Sequence, residues 1–243
     1  MLLKWIFDRV VAFVGLLFLW PVFIAVALLI KIKMPGGPAF FVQKRVGKDG
    51  RLFNCHKFRT MIPVKHQEGR NSRKGDQVWS TVSVAGDSRI TPFGAKLRHY
   101  KLDELPGLWD VLIGNMSFVG PRPDVPGYAD KLEGDDRDVL KLRPGITGPA
   151  TLKYRLEDEM IADFVQNQRN HGAIELQNYG LSQSQIVEMT DLELAVWYND
   201  YVIYPDKVRI NRYYLRHYSF IKDIQMILCT VLGKKMKYNN EII

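Results

Sequence analysis

Cysteine is scarce in this chain of 243 residues, which has only Cys55 and Cys229, far apart in the sequence. Two such cysteines exclude the disulfide framework of a small secreted domain, and without Cys/His ligand spacing they exclude a structural zinc site. The sequence also has no internal repeat and no low-complexity segment. We therefore expect a folded domain with reduced cysteines in a cytoplasmic setting.

Acidic residues are fewer than basic ones, 26 Asp and Glu against 34 Lys and Arg, and the formal net charge is +8. An excess of this size indicates an anionic partner, which could be nucleic acid, a phosphorylated substrate or acidic lipid. Composition alone does not choose among the three. A chain of this length can bury a sizeable core in one domain and carry a membrane segment beside it.

Charged side chains are absent from residues 10–30, a stretch long enough at about 1.5 Å per residue to cross a hydrocarbon core of about 30 Å. Pro21 lies in its middle and removes a backbone hydrogen bond to Leu17, so we expect a bend at Trp20 and Pro21. Basic residues flank both ends, which leaves no preferred direction of crossing. Two structures fit: a kinked transmembrane helix, or a re-entrant helix that returns to the face it entered.

A Pro/Gly segment at residues 34–38 is expected to end this helix. Two apolar and basic runs then surround residues 47–50, a pattern that predicts a β-hairpin. The second run carries Lys57 and Arg59, and such charges most often lie on a solvated face.

Two later segments have weaker signals. Residues 63–85 are polar, mixed in charge and without a periodic apolar face, which predicts a mobile loop. Near the C-terminus, apolar residues at helical spacing between Ser219 and Gly233 predict an amphipathic helix. This helix either packs in the core or lies in the membrane interface.

Two adjacent carboxylates, Asp103 and Glu104, stand at the start of LDELPGLWDVLIGNMSFVGPRP, residues 102–123. Pro106 fits only the first turn of a helix, so we expect the helix to begin near Asp103 and to end at Gly114. The positive end of a helix stabilises carboxylates and attracts phosphate. Neighbouring helical side chains point about 100° apart, which favours two acids with separate tasks. The alternative is a helix cap with an acid that complements the dipole.

The order of residues 102–123 resembles the signature of the bacterial monotopic phosphoglycosyl transferases, which begin polysaccharide and glycoconjugate assembly on a polyprenyl phosphate. Three further elements match this family. They are KFRTM at residues 57–61, D-x-R-x-T-x-x-G at residues 87–94, and RPGITG at residues 143–148.

The resemblance implies a mainly α fold with a small β-hairpin, in a monotopic membrane protein with interfacial amphipathic helices. It divides the chain into a re-entrant membrane helix, residues 1–34 with the break at Trp20 and Pro21, and a catalytic domain, residues 35–243. The catalytic domain is expected on the cytoplasmic face of the bacterial inner membrane. A homodimer is left open, and nucleic acid is not expected as a partner.

For the chemistry, the resemblance implies attack by Asp103 on the sugar-bearing phosphate of a UDP-sugar, which gives an aspartyl-phosphosugar and releases UMP. Polyprenyl (undecaprenyl) phosphate then attacks this intermediate. Glu104 and Asp103 are the expected ligands of Mg²⁺. Arg122, held between two prolines, is expected to bind phosphate oxygens. The other expected phosphate or substrate ligands are Lys57, Arg59, Arg89, Arg98, Arg143 and Thr147.

Two other functions stay open from the residues alone. A non-catalytic peripheral membrane protein that binds anionic lipids explains the charge and the apolar helices, but not an acid pair near phosphate-binding arginines. A D-x-D glycosyltransferase would use Asp136 and Asp138 as a metal site and release UDP. Release of UMP from a UDP-sugar separates all three.

Overall fold

The computed structural model describes residues 1–62, 89–171 and 188–243. In chain order the helices are α1 (Leu2–Lys33), α2 (Pro92–His99), α3 (Gly107–Ile113), α4 (Pro149–Lys153), α5 (Glu157–His171), α6 (Asp191–Tyr198), α7 (Tyr204–Arg216) and α8 (Phe220–Leu232). The strands are β1 (Phe40–Val46), β2 (Leu52–Phe58), β3 (Ser117–Val119), β4 (Gly145–Thr147), β5 (Lys237–Tyr238) and β6 (Glu241–Ile242).

The described chain is mainly helical, and its strands pair as β1–β2, β3–β4 and β5–β6. The predicted mainly α fold with a small hairpin is confirmed. The two smaller sheets are additions that no local pattern predicted. The loop predicted at residues 63–85 lies outside the described residues.

Helix α1 is long and apolar enough to cross a membrane by length and composition. It continues through Pro21 and ends at Lys33, where Met34 caps it, so the predicted end at residues 34–38 is confirmed. Most of its apolar side chains are exposed. The buried residues of α1, apolar and charged, lie towards its two ends: Lys4, Asp8, Ala12, Val26 and Ile30.

The N-terminal end of α1 is fixed to the body by buried charged groups. Lys4 Nζ donates to Oδ2 of Asp223 in α8 at 2.7 Å, and Tyr214 OH donates to the other oxygen at 2.6 Å. Asp8 accepts the backbone N–H of Phe118 at 3.3 Å. Because a buried charge is tolerated only when it is paired and hydrogen-bonded, these contacts specify where the helix begins on the body.

The other end of α1 packs on the hairpin and on α2. Val26 and Ile30 share one apolar cluster with Phe58 of β2 and Leu97 of α2. Between the two ends, Ala12 contributes to a second cluster with residues of α3 and β2. Both ends of the helix therefore contact the same folded body.

The hairpin forms as predicted, with β1 antiparallel to β2 in a register that runs from Phe40↔Phe58 to Val46↔Leu52. Its turn contains Asp49 and Gly50 at φ 58° and 77°, a conformation that glycine adopts without strain and that aspartate tolerates. Since side chains alternate along a strand, Lys57 lies on one face and its neighbour His56 on the other.

The helix after the acid pair begins later than the sequence predicted. It starts at Gly107 with Pro106 as its N-cap, and Asp103 and Glu104 lie in a preceding 3₁₀ turn, Leu102–Glu104. The start at Asp103 was wrong because the chain tightens before the helix, after a left-handed residue at Lys101 with φ 55°. The predicted end is correct, since Gly114 caps α3 at φ 91°.

The predicted C-terminal amphipathic helix is α8, which runs from its N-cap Ser219 to the left-handed Gly233. Its apolar stripe faces away from the described body. The exposed members are Ile221 at 70%, Leu228 at 52%, Val231 at 75% and Leu232 at 62%. Of the two readings of this helix, exposure therefore favours the membrane interface over core packing.

Strands β3 and β4 are parallel and bring two distant elements side by side. The N–H of Gly120 donates to Thr147 O at 2.9 Å, and the N–H of Gly145 donates to Pro121 O at 2.7 Å. A Cβ at Gly145 or Gly148 would overlap the backbone of Gly120, so glycine is required at this crossing. The segment that carries Arg122 is thereby fixed to the body.

Candidate functional site

Glu104, in the 3₁₀ turn, binds two cationic side chains. Its Oε1 atom accepts hydrogen bonds from Lys57 Nζ and from Arg122 Nη2, each at 3.0 Å. Burial alone would raise the pKa of the Glu104 carboxyl, but the charges of Arg122 and Lys57 outweigh it and hold the pKa well below its ordinary value. Glu104 is therefore an ionised carboxylate in a strongly positive setting.

The carboxyl of Asp103 is buried and, unlike that of Glu104, has a raised pKa. It is 8% exposed, and its Oδ1 atom is buried without a hydrogen-bond partner among the described residues. Burial, and then the negative charge of Glu104, raise the pKa of Asp103, while Lys57 and Arg98 offset only part of the increase. A buried polar atom without a partner costs free energy, and such atoms in native proteins often serve binding or catalysis.

The chain segment that carries Arg122 is held in place by contacts with β1 and α7. Arg45 Nη1 in β1 donates to the carbonyl of Pro123 at 3.1 Å, and Tyr204 OH in α7 donates to Asp124 Oδ2 at 3.1 Å. The Arg122 side chain is 44% exposed. Among the described residues its one hydrogen-bond partner is Glu104, so most of its N–H groups can reach an incoming phosphate.

Three charged residues behind this segment were not predicted as site residues. Burial raises the pKa of Asp124 to about 6, although Lys207 and the hydrogen bond from Tyr204 lower it. Lys207 Nζ in turn donates to Glu157 Oε1 at 2.6 Å. Asp124 directly follows the Pro-Arg-Pro element and so had a local signal. Lys207 and Glu157 come from α7 and α5, and no sequence pattern places them near Arg122.

Two other predicted ligands, Arg98 and Arg89, contact the residues that follow β2. Arg98 Nε donates to Thr60 Oγ1 at 3.0 Å, and its charge acts on Asp103. The backbone carbonyl of Arg89 accepts the N–H of Ile62 at 3.0 Å. The structure thus brings Lys57 and Arg122 into contact with the pair, and Arg98 within electrostatic range.

Three predicted ligands have partners elsewhere in the structure. Arg59 is buried and donates to the carbonyls of Met34 and Pro38, where it holds the chain that leaves α1. Arg143 Nε donates to Gly114 O at 3.0 Å. Thr147 is buried against α8, with its hydroxyl bonded to that of Thr230 at 2.5 Å. Their expected contacts with substrate stay predictions.

The described residues supply part of the ligand set that a hard divalent cation needs. No group of three or more His, Cys, Asp or Glu side chains that could hold a metal occurs in the described ranges. Asp103 still offers an oxygen without a partner beside Glu104. Mg²⁺ commonly binds through one or two carboxylates and completes its shell with substrate phosphates and water, so the pair fits that ion.

The D-x-D alternative fits the structure poorly. Asp136 accepts a hydrogen bond from Arg212 Nη1 at 2.7 Å, and Asp138 pairs with Lys141 at 2.6 Å. Both residues lie in a 3₁₀ helix, Gly134–Lys141. They serve as partners of surface cations.

Comparison with known proteins finds relatives that are named as sugar-phosphate transferases or exopolysaccharide production proteins. The UDP-glucose:undecaprenyl-phosphate glucose-1-phosphate transferase of Xanthomonas campestris pv. campestris is 40% identical over 146 residues, which cover 58% of this chain and 28% of that protein. The exopolysaccharide production protein ExoY of Rhizobium meliloti (strain 1021) is 37% identical over 147 residues, 58% of this chain and 65% of ExoY. The undecaprenyl-phosphate galactose phosphotransferase of Salmonella typhimurium is 40% identical over 151 residues, 60% of this chain and 31% of that protein.

The chain therefore spans less than two thirds of the length of each of these relatives. A sequence model described as "Bacterial sugar transferase" matches residues 1–235, which include α1, the acid pair, the Pro-Arg-Pro segment and α8. Because this match covers nearly all of the chain, the protein belongs to the bacterial sugar transferase family.

Proposed function

We propose that this protein transfers a sugar-1-phosphate from a UDP-sugar to polyprenyl (undecaprenyl) phosphate, which gives polyprenyl-diphosphate-sugar and UMP. This would be the first membrane step in the assembly of a polysaccharide or glycoconjugate. The observation that carries the proposal is the buried Asp103 oxygen without a partner, next to a carboxylate that gathers Lys57 and Arg122. The names of the relatives support the class of donor and acceptor.

In the first step, a carboxylate oxygen of Asp103 attacks the sugar-bearing phosphorus of the UDP-sugar. The bond from that phosphorus to the bridging oxygen breaks, and UMP leaves with the electron pair. Attack of one anion on another needs positive charge at the phosphate oxygens. Arg122 and Lys57 supply it, and the exposed guanidinium of Arg122 can form a bidentate contact.

Mg²⁺ would be held by Asp103 and Glu104, and when bound it would neutralise charge on the phosphates of the donor. Glu104 keeps its negative charge because its pKa is depressed by Arg122 and Lys57, which outweigh the effect of burial. The two acids then have separate tasks. Asp103 attacks and also offers an oxygen to Mg²⁺, whereas Glu104 holds Lys57, Arg122 and Mg²⁺ without attacking.

In the second step, a phosphate oxygen of the polyprenyl phosphate attacks the phosphorus of the aspartyl-phosphosugar. The acyl-phosphate bond breaks, and the carboxylate of Asp103 is restored. The acceptor is a lipid, so the site has to lie at the membrane surface. The exposed apolar side chains of α1 and α8 support that placement.

We infer a re-entrant course for α1 in the cytoplasmic leaflet of the inner membrane. A straight helix of 32 residues would be about 48 Å long and would separate its ends across a bilayer. Yet Lys4 is paired with Asp223 at one end, and Ile30 packs against the same body at the other. The side chains around Pro21 are exposed and can enter lipid, with Phe18 at 73% and Trp20 at 59% exposure.

The mechanism is tested by incubating purified protein with a UDP-sugar and Mg²⁺ but no acceptor. Up to one equivalent of UMP should appear, and mass spectrometry should find a phosphosugar on the peptide that contains Asp103. Asp103→Asn should give neither. Asp49→Asn removes an acid from the hairpin turn and serves as the matched control.

Absence of both the adduct and the exchange of labelled UMP into UDP-sugar, in a preparation that still makes product, would overturn the covalent step. Release of UDP instead of UMP would indicate a glycosyltransferase. Release of neither nucleotide would favour a membrane protein that only binds lipid.

A further inference from the structure

On the opposite face of the hairpin from Lys57, His56 is oriented by a buried carboxylate. Asp110 of α3 is fully buried. One of its oxygens accepts the backbone N–H of His56 and the other lies 2.8 Å from His56 Nδ1. A carboxylate can only accept, so the proton lies on Nδ1 and the ring is held with Nε2 directed away from Asp110.

The imidazole of His56 borders a cavity of about 440 Å³ between the hairpin and the end of α3. We name it the His56 cavity. Its lining residues are Lys44, Leu52, Phe53, Asn54, His56, Ile113 and Asn115. The polar groups among them are one ammonium and two carboxamides, which donate hydrogen bonds, and one imidazole, which donates from Nε2 when both ring nitrogens are protonated. A ligand rich in acceptor oxygens fits this set.

The charge around the His56 cavity is positive. Lys44 has no hydrogen bond or ion pair in the described part of the chain. The guanidinium of Arg9 lies against Gly114, and Arg143 donates to the carbonyl of the same glycine, directly before Asn115. The carboxylate nearest to the imidazole, Asp110, has both oxygens engaged by His56. Among the residues that the structure describes, an anion in the cavity would therefore meet Lys44 directly, while the carboxylate of Asp110 is already engaged by His56.

The cavity also lies beside the membrane helix. Ile113 in its wall is 49% exposed, and so is Trp109 one turn earlier on α3. Helix α3 packs against α1, and Ala12 and Val111 share one apolar cluster. An apolar rim next to a cationic cavity at this position matches the boundary between acyl chains and headgroups, where tryptophan is also enriched.

We propose that the His56 cavity binds a phosphate group, and that the phosphodiester of an anionic phospholipid headgroup supplies it. The bound oxygen would accept from Lys44 and, with both ring nitrogens protonated, from His56 Nε2. This site is separate from the acid pair and does not depend on the proposed transfer reaction. It would orient the body on an anionic leaflet.

The test uses the full chain in detergent with ¹⁵N-labelled histidine, and His56→Gln identifies the signal of His56. Inorganic phosphate and a short-chain phosphatidylglycerol are titrated separately, with a short-chain diacylglycerol as the lipid control without phosphate. The signal of Nε2 should move saturably towards the imidazolium position with phosphatidylglycerol and not with diacylglycerol.

Lys44→Gln should weaken this binding about tenfold, because a charge-assisted hydrogen bond is lost. Lys48→Gln removes the same charge from the hairpin turn and should change the affinity less than about twofold. Asn54→Ala is a second variant of the cavity, and thermal unfolding checks that each variant is folded. A shift with inorganic phosphate alone would overturn the lipid source. No shift with either probe, or equal affinity of Lys44→Gln and wild type, would overturn the site itself.

Discussion

Asp103 and Glu104 are adjacent in one 3₁₀ turn, yet the pKa of the first carboxyl is raised and that of the second is lowered. The tight turn separates neighbouring side chains by roughly 120°, so one carboxyl is directed inward and the other towards Lys57 and Arg122. Burial and the charge of Glu104 act on Asp103, and two cations act on Glu104. The same turn thus places a buried carboxyl directly beside a carboxylate that binds two cationic side chains.

Asp103→Asn is expected to stabilise the fold while it abolishes UMP release. The change removes a buried charge whose pKa is raised by burial and by Glu104, and whose oxygen has no partner among the described residues. Relief of about 1 kcal/mol corresponds to a rise of roughly 2–4 °C in apparent Tm at neutral pH.

The sign of this effect depends on pH. Because the pKa of Asp103 is higher in the folded state, its destabilising effect is absent below the unfolded pKa and complete above the folded pKa. The Tm difference between Asp103→Asn and wild type should therefore shrink as the pH falls through that window. If the variant were less stable than wild type at neutral pH, the ionised carboxylate of Asp103 would not be destabilising the fold.

The acid limb of activity should be set by Asp103. In the proposed mechanism Asp103 must be ionised to attack, and its pKa is raised, whereas the depressed pKa of Glu104 keeps that carboxyl ionised well below neutral pH. The value of kcat/KM for UMP release should therefore fall at a higher pH than an ordinary aspartate would give.

Glu104→Gln provides the check on this assignment. Since the charge of Glu104 helps to raise the pKa of Asp103, its removal should lower that pKa and move the acid limb of the remaining activity to lower pH. A limb that stays in place or moves upward would show that another group controls it.

Arg122→Lys should reduce kcat/KM by about a hundredfold with little change in unfolding. Lysine keeps the charge but loses the planar fork that holds two phosphate oxygens. Arg51→Lys, on the exposed side of the hairpin, is the matched control and should leave UMP release unchanged. Equal rates for Arg122→Lys and wild type would rule out a bidentate contact.

Tyr204→Phe tests whether the segment behind Arg122 must be held in place. The change removes only the hydroxyl that donates to Asp124 Oδ2 at 3.1 Å. The matched control is Tyr128→Phe, which removes a hydroxyl that donates to Asp200 at 3.1 Å. Both should cost about 1 kcal/mol of stability.

Only Tyr204→Phe should also lower kcat, by roughly three- to tenfold, because Asp124 adjoins the Pro-Arg-Pro element. The donor KM should change less than kcat. If the two variants lose activity equally, the contact of Tyr204 contributes to stability alone.

The elements that the sequence predicted correctly have local causes. Gly50 and Gly233 both adopt positive φ at the ends of periodic segments, so the hairpin and α8 could be read from neighbouring residues. The start of α3 was misplaced because a 3₁₀ turn precedes the helix, and in that turn Glu104 contacts Lys57 and Arg122, which are 47 and 18 residues away in sequence.

The candidate site also contains both residues that the sequence could predict and residues that it could not. The acid pair and Arg122 belong to one continuous segment, which the family signature covers. The residues that hold this segment from behind, Arg45 in β1 and Tyr204 in α7, lie far from it in sequence. Only the folded chain brings them to Pro123 and Asp124, so periodicity and motif spacing carry no signal for them.

The buried pair of Lys4 and Asp223 should determine where α1 begins on the body. Among the described residues, Lys4→Met leaves the carboxylate of Asp223 with the hydroxyl of Tyr214 alone, and loss of one partner from a buried pair costs roughly 3–5 kcal/mol. Lys33→Met removes an exposed lysine at the other end of the helix and is the matched control. Asp223→Asn combined with Lys4→Met should recover part of the loss in apparent Tm.

A re-entrant α1 should place both of its ends on the cytoplasmic side. Single cysteines at Leu2, which is 74% exposed, and at Lys33 avoid the buried pair, with Cys55 and Cys229 replaced by alanine. In sealed inside-out vesicles, an impermeant maleimide should label both positions, because each lies next to contacts with the same body. Pro21→Ala restores the missing backbone hydrogen bond and should favour a straight crossing. Labelling of only one position in the protein that retains Pro21 would show that α1 spans the membrane.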